Sequence, residues 1–144
     1  MTEKEKELLS TSAKMKSFEA FPELLSKIKK GSKLTIKDIE FFESIFGDRV
    51  RKALEVIGAN GVKKYTFSPS RISRWTVQGQ GKEYLVIENS FCSCKDFLFT
   101  ALLRKEAPSC YHLLAREIAE RTEHFENITV EDNLFEEYMK QWFD

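Results

Sequence analysis

The sequence predicts an α+β fold: a helical N-terminal lobe, a three-stranded antiparallel β-meander followed by helices, and a C-terminal amphipathic helix. Three observations lead there. Apolar residues recur at helical spacing up to about residue 60 and alternate at spacing two afterwards. Glycine and proline stand between the periodic stretches, where chain reversals belong. All three cysteines and one of the two histidines fall between positions 92 and 112, as Cys92, Cys94, Cys110 and His112.

Residues 3–17 are charged with scattered Leu8, Leu9, Ala13 and Met15, the pattern of a frayed or partner-dependent helix. Pro22 suits the first turn of a helix running to about Lys30, stopped by Gly31. Thr35 caps the next, in which Ile36, Ile39, Phe42, Ile45 and Phe46 share a face and Gly47 ends the run. Asp48 caps a third helix carrying Val50, Leu54 and Ile57, closed by Gly58. From Gly61 the pattern changes. Residues 62–68, 72–78 and 83–88 are rich in Val, Ile, Tyr, Trp and Thr, separated by Ser-Pro-Ser and Gly-Gln-Gly.

Asp96 can open a helix from Phe97 to about Lys105 that is apolar nearly all round, so it is expected to be largely buried. Pro108-Ser109 breaks it. A core helix follows over residues 111–121, with Leu114, Ala115 and Ile118 on one side, and residues 131–143 form the last helix. The organisation is therefore a helical region 1–61, a central unit 62–121 and an acidic amphipathic end 122–144.

The chain has 144 residues, 42% of them hydrophobic, with twelve Phe, enough for one domain with a real core. Its formal net charge is zero, so the whole chain gives no reason to expect a polyanionic partner. The balance is uneven: the central unit is basic and the C-terminal segment acidic. The N-terminus lacks the apolar stretch of a secretory leader, and no apolar run approaches the ~18 residues that span a bilayer. An odd cysteine count with two thiols one residue apart favours a reducing compartment, cytosol or nucleus, over the extracellular space.

Two tight pairs of soft donors suit zinc. In an extended strand residues i and i+2 point the same way, so Cys92 and Cys94 at a strand end aim both sulfurs at one ion. Cys110 and His112 must straddle a helix start, and Pro108-Ser109 puts a break there. Three Cys and one His close a tetrahedron around one structural Zn2+, with Zn–S near ~2.3 Å. The resulting charge of roughly −1 is offset by Lys95, Arg104 and the following helix N-terminus. Buried cysteines beside a surface histidine, or a Cys110-His112 catalytic pair, are the competing readings; no orienting carboxylate is apparent for the second. His124 reads as a solvated residue near a helix end.

Cys-x-Cys followed by Cys-x-His after a short meander resembles the SWIM-type zinc finger. Cys110-Tyr111-His112-Leu113-Leu114-Ala115 further resembles the extended Cys-x-His-x-x-Ala form of the SWIM subunits of Shu complexes, the zinc finger SWIM domain-containing protein 7-like family. Phe67-Ser68-Pro69-Ser70, Phe97, Phe99 and Leu103-Arg104-Lys105 are also similar to that family's pattern, and the likeness covers roughly 62–121. The resemblance implies a non-enzymatic accessory subunit of homologous recombination. Such a subunit pairs with a RecA-like recombinase paralogue, in a heterodimer or larger complex, and promotes recombinase filaments on single-stranded DNA in the nucleus. A small Ala115 one turn past a ligand suits close helix–strand approach, or simply an ordinary core.

Two surfaces are candidates for partners. Leu134, Phe135, Tyr138, Met139 and Trp142 form a stripe on the last helix, suited to a partner groove or, as the plainer expectation, to this chain's own core. Lys63, Lys64, Arg71, Arg74, Lys82, Lys95, Arg104 and Lys105 could form a basic strip, with Trp75 or Tyr84 for stacking on bases, so that DNA is met directly or through the partner. The competing classes are a stand-alone nucleic-acid-binding finger, disfavoured by low net charge, and a zinc-dependent hydrolase, disfavoured by four ligands leaving no open position.

Overall fold

A computed structural model of the chain describes residues 18–88 and 90–143. The expected helix at 3–17 lies outside them. After a short 3-10 turn at Phe18–Ala20, Pro22 starts α1, Phe21–Leu25, which buries Phe21, Leu24 and Leu25. This helix is shorter than expected. Turns carry the chain on to Gly31, which holds φ +81° and donates its N–H to the Arg121 carbonyl at 2.6 Å.

Helix α2, Ile36–Phe46, begins in a full capping box: Thr35 Oγ1 accepts from Asp38 N–H at 3.1 Å and an Asp38 carboxylate oxygen accepts from Thr35 N–H at 3.0 Å. Gly47, at φ +64°, ends it as expected. Ile36 differs from expectation. At the first helical position it lies beyond the reach of the core and is 75% exposed. Helix α3, Arg49–Gly58, buries Val50, Ala53 and Ile57. Asp48 precedes it without a side-chain cap bond, because its carboxylate is taken by Arg51 at 2.8 Å.

Strands β1 (Val62–Ser68), β2 (Ser73–Gln78) and β3 (Glu83–Ile87) form the expected antiparallel meander. It is the centre of a larger sheet. The two-residue β4, Phe91–Cys92, pairs antiparallel with β3. After helix α4, Tyr111–Arg121, strand β5 (Glu126–Glu131) pairs parallel to β1, with Lys63 opposite Glu126 and Phe67 opposite Val130. The order is β4-β3-β2-β1-β5.

Strand alternation gives the sheet two covered faces. Val62, Trp75, Val77, Val86 and Cys92 face the helices of the N-terminal lobe and α4. Tyr65, Phe67, Leu85 and Val130 face the last helix, α5 (Phe135–Phe143), which a 3-10 turn at Asp132–Leu134 introduces. Asp132 also ties the β1–β2 turn down, accepting from Ser70 N–H at 2.9 Å and Ser70 Oγ at 2.8 Å.

The aromatic stripe of α5 therefore belongs to this chain's own core. Trp142 lies 4.9 Å from Tyr65 and Phe135 5.0 Å from Phe67, centroid to centroid, and Tyr138 and Met139 pack in the same cluster. These four side chains are not a free partner surface. Only Leu134 of the stripe stays exposed. Glu83 holds the base of this layer, accepting from Lys63 Nζ at 3.0 Å and from Tyr65 Oη and Trp142 Nε1 at 3.3 Å.

The segment after the second cysteine is π-helical, Phe97–Leu103, with Arg104 N–H donating to the Phe99 carbonyl five residues back. It is not the buried helix expected. Phe97 and Ala101, four apart, point inward; Leu98, Phe99, Leu102 and Leu103 lie exposed. The segment runs along the surface, so one stripe is covered and the rest of its apolar circumference meets solvent.

Candidate metal centre

Cys92 ends β4, and Cys94 follows in the bend by which the chain leaves the sheet, so the strand end is as expected while the bend, and not two further extended residues, places the second sulfur. Cys110 stands at the N-cap of α4 in extended conformation (φ −76°, ψ 169°), and His112 is the helix's second residue. The strand end and helix start thus meet. One donor atom from each of Cys92, Cys94, Cys110 and His112 lies within 4.8 Å of every other, and all four residues are buried.

Backbone groups already serve the sulfurs. Cys94 Sγ accepts from Phe97 N–H at 3.4 Å, and Cys110 Sγ accepts from Leu113 N–H at 3.5 Å. The helix start and the π segment therefore direct partial positive charge at the thiolates. Burial pushes the Cys110 thiol up, and hydrogen bonds from Cys110 and Cys92 hold the Cys94 thiol well down. Three buried thiols this close cannot all ionise unless a cation shares the space.

The residues fit one zinc ion. Both ring nitrogens of His112 are buried with no protein hydrogen-bond partner, an arrangement that costs free energy unless one of them ligates a metal. With three sulfurs and one imidazole the coordination is complete, and zinc in such a site supplies folding energy rather than a reactive water. His124 is exposed at the end of α4, away from the set.

What surrounds the ligands is less visible from spacing. Tyr84 and Tyr111 flank the His112 ring, at centroid distances of 4.5 Å and 3.9 Å. Arg49 grips Asp96 with a two-pronged contact, Nε and Nη2 each at 2.9 Å, fastening α3 to the start of the π segment. Burial pushes the Asp96 carboxyl up, but the hydrogen bonds from Arg49 and Thr100 and the Arg49 charge together hold it low. Ala115 is fully buried on α4. Its neighbour Arg116 is fully buried too, with its guanidinium 4.4 Å from the Trp75 ring centre and paired with Glu117, Glu120 and Glu88. Nothing in the periodicity marked Arg116 as a core residue; an i, i+4 Arg116–Glu120 pair was the one available hint.

Gly79 sits closer to the centre than a turn residue need. A Cβ there would stand 2.3 Å and 2.6 Å from Tyr84 ring atoms and 3.1 Å from His112 Nε2. Gly79→Ala is expected to push Tyr84 against His112, destabilise the fold by about 1–3 kcal/mol, and speed zinc loss to a colorimetric chelator. Unchanged melting and zinc release would show that the ring yields freely.

The basic residues do not form one strip. Lys63 and Lys64 are neighbours in β1 and point to opposite faces: Lys63 to Glu83, Lys64 to the Trp75 ring at 5.5 Å. Arg74 lies over Phe135 at 5.4 Å, and Arg71 is in the β1–β2 turn. Arg104 and Lys105 are exposed beyond the π segment. Trp75 is buried beneath Arg116 and Phe125, so no base can reach its face. Lys82 and Lys95 alone of the set come together, in the groove beside the metal centre with Tyr84.

Comparison with known proteins agrees with this geometry. The chain is 31% identical over 99 residues to a zinc finger SWIM domain-containing protein 7 homolog from Dictyostelium discoideum, covering 67% of this chain and 62% of that protein. The chain belongs to the SWIM-type zinc-finger family. An uncharacterized protein of Archaeoglobus fulgidus is 36% identical over 83 residues, 58% of this chain and 64% of its own length. This SWIM-type chain thus spans somewhat over three fifths of the length of each relative. No family model matches the sequence, and no solved structure does.

Proposed function

We propose that this SWIM-type protein is a non-enzymatic accessory subunit of homologous-recombination DNA repair. It binds a RecA-like recombinase paralogue, in a heterodimer or larger complex of Shu type, and promotes assembly or stability of the recombinase filament on single-stranded DNA. The observation that carries this reading is the closed, buried Cys92-Cys94-Cys110-His112 set in a chain that matches a SWIM domain-containing protein 7 homolog. A complete ligand set has no position for a substrate or an activated water, which argues against a hydrolase. Work in the nucleus follows for a eukaryotic protein; among the described residues no helix is long and apolar enough to cross a membrane.

The π segment supports a protein-binding role. Leu98, Phe99, Leu102 and Leu103 are exposed from one short stretch, and clustered apolar exposure marks association surfaces. The test is affinity purification of the tagged chain from its own cells. The expected result is a co-purifying protein with a P-loop ATPase core, lost at least about tenfold from a Leu98→Asp/Leu102→Asp variant that keeps its zinc and its circular dichroism. That loss corresponds to about 1.4 kcal/mol or more of binding. Absence of any such ATPase, or its undiminished recovery with the variant, rejects the proposal.

A further inference from the structure

An open groove of about 990 Å³ lies between α3, the β2–β3 turn and the outer side of the metal centre. Four cations line it, Arg51, Lys52, Lys82 and Lys95, against two carboxylates, Glu55 and Asp96. Both carboxylates are already engaged. Arg51 Nη1 takes Glu55 at 2.6 Å, and Arg49 takes Asp96. Arg51 is itself shared with Asp48. The three lysines have no carboxylate partner among the described residues. Lys82 Nζ stands 5.1 Å from the centre of the Tyr84 ring and Lys52 Nζ 5.9 Å from that of Tyr111, the two rings that flank His112.

We propose that this groove binds single-stranded nucleic acid, with Lys52, Lys82 and Lys95 on its phosphates and Tyr84 and Tyr111 as platforms for its bases. Half-buried rings held in place by a metal ligand, each with an ammonium nearby, combine the two contacts that single strands use: stacking and charge. A duplex keeps its base faces stacked inside and offers none to a tyrosine in a concavity. An acidic peptide would use the lysines and leave the rings idle. The zinc centre carries about −1 of its own, so the phosphates belong at the lysine rim and not over the sulfurs. This site deepens the proposed function, resting on it for the role of a DNA strand and giving this chain its own contact with that strand.

The experiment uses the zinc-loaded full chain and a fluorescent oligo-deoxythymidine of about 16 nucleotides, read by anisotropy over a salt series. Three neutralised phosphates give a log–log salt slope of about −2. Lys52→Ala/Lys82→Ala/Lys95→Ala, with zinc content and circular dichroism unchanged, is expected to bind at least about tenfold more weakly and to flatten that slope by about 2. Removing the same charge elsewhere, with Lys29→Ala/Lys30→Ala/Lys33→Ala, is expected to change affinity less than about twofold. An abasic strand with the same phosphates is expected to bind at least about fivefold more weakly, because stacking is lost.

Equal loss in both triple variants, equal affinity for the abasic strand, duplex binding as tight as single-strand binding, or equal competition by polyglutamate would each overturn the proposal. Recovery of the P-loop ATPase with the Lys52/Lys82/Lys95 variant is read separately. A failed groove with the ATPase retained leaves the accessory role standing; a working groove without the ATPase leaves the groove standing.

Discussion

Cys94→Ser, or removal of zinc by a strong chelator, is expected to unfold the unit built on β4, the π segment and α4. Structural zinc contributes roughly 10–16 kcal/mol in small domains, as large as the typical net stability of ~5–15 kcal/mol. The four ligands also join elements that have little else at the junction: β4 is two residues long, and the π segment buries only Phe97 and Ala101. Without the ion, both ring nitrogens of His112 are buried with no hydrogen-bond partner and Cys110 keeps its bond from Leu113 N–H, at the start of a helix that supplies the centre of the core. Far-UV circular dichroism and limited proteolysis measure the effect, and signals unchanged after complete zinc removal would refute it. The pH dependence has a definite sign. The raised Cys110 thiol keeps its proton in the metal-free chain, so zinc must displace it. Acid favours the proton, and zinc should be stripped more readily at about pH 6 than at about pH 8.

The second large effect lies on the other face of the sheet. Trp142→Ala is expected to destabilise the protein by about 3–5 kcal/mol, the range for emptying a large aromatic site in a core. Trp142 is 2% exposed, touches the rings of Tyr65 and Tyr138, and donates Nε1–H to Glu83. Trp142→Phe keeps a ring in the cluster and gives up mainly the hydrogen bond, for about 1 kcal/mol. Urea denaturation of the three proteins gives the comparison. If the two variants were equally mild, the packing of α5 on the sheet would not be the source of its stability.

The metal ligands were legible because chemistry constrains them twice, in residue type and in spacing. Cys92 and Cys94 needed a strand end, and Cys110 and His112 a helix start; both occur. Thr35 with Asp38, and Gly47 with its positive φ, were legible because caps are local. Strand β5 was missed. Its alternation, Glu-Asn-Ile-Thr-Val-Glu, offers only Ile128 and Val130 to the sheet, and its pairing with β1 is a long-range choice that no local signal announces. The π segment misled for a related reason. Apolar character all round its circumference does not say how much of it other elements cover. Periodicity places a residue on a face, whereas Arg116 shows that a charged side chain can occupy the middle of the core when Trp75 and three carboxylates meet it there. The basic strip dissolved because adjacent residues in a strand, such as Lys63 and Lys64, cannot share a face.

The parallel pairing of β1 with β5 bears on how the chain is made. Synthesis runs at about 5–20 residues per second, and β1 leaves the ribosome seconds before Glu126–Glu131 can reach it. All four zinc ligands are out by then, so the ion can be captured while one edge of the sheet is still bare and Tyr65 and Phe67 have no cover. A nascent or prematurely terminated chain would therefore carry its metal and still present an open strand edge beside exposed aromatic rings, the combination that recruits other chains. Zinc occupancy and protection from aggregation are thus acquired at different moments, and the second waits for β5 and α5.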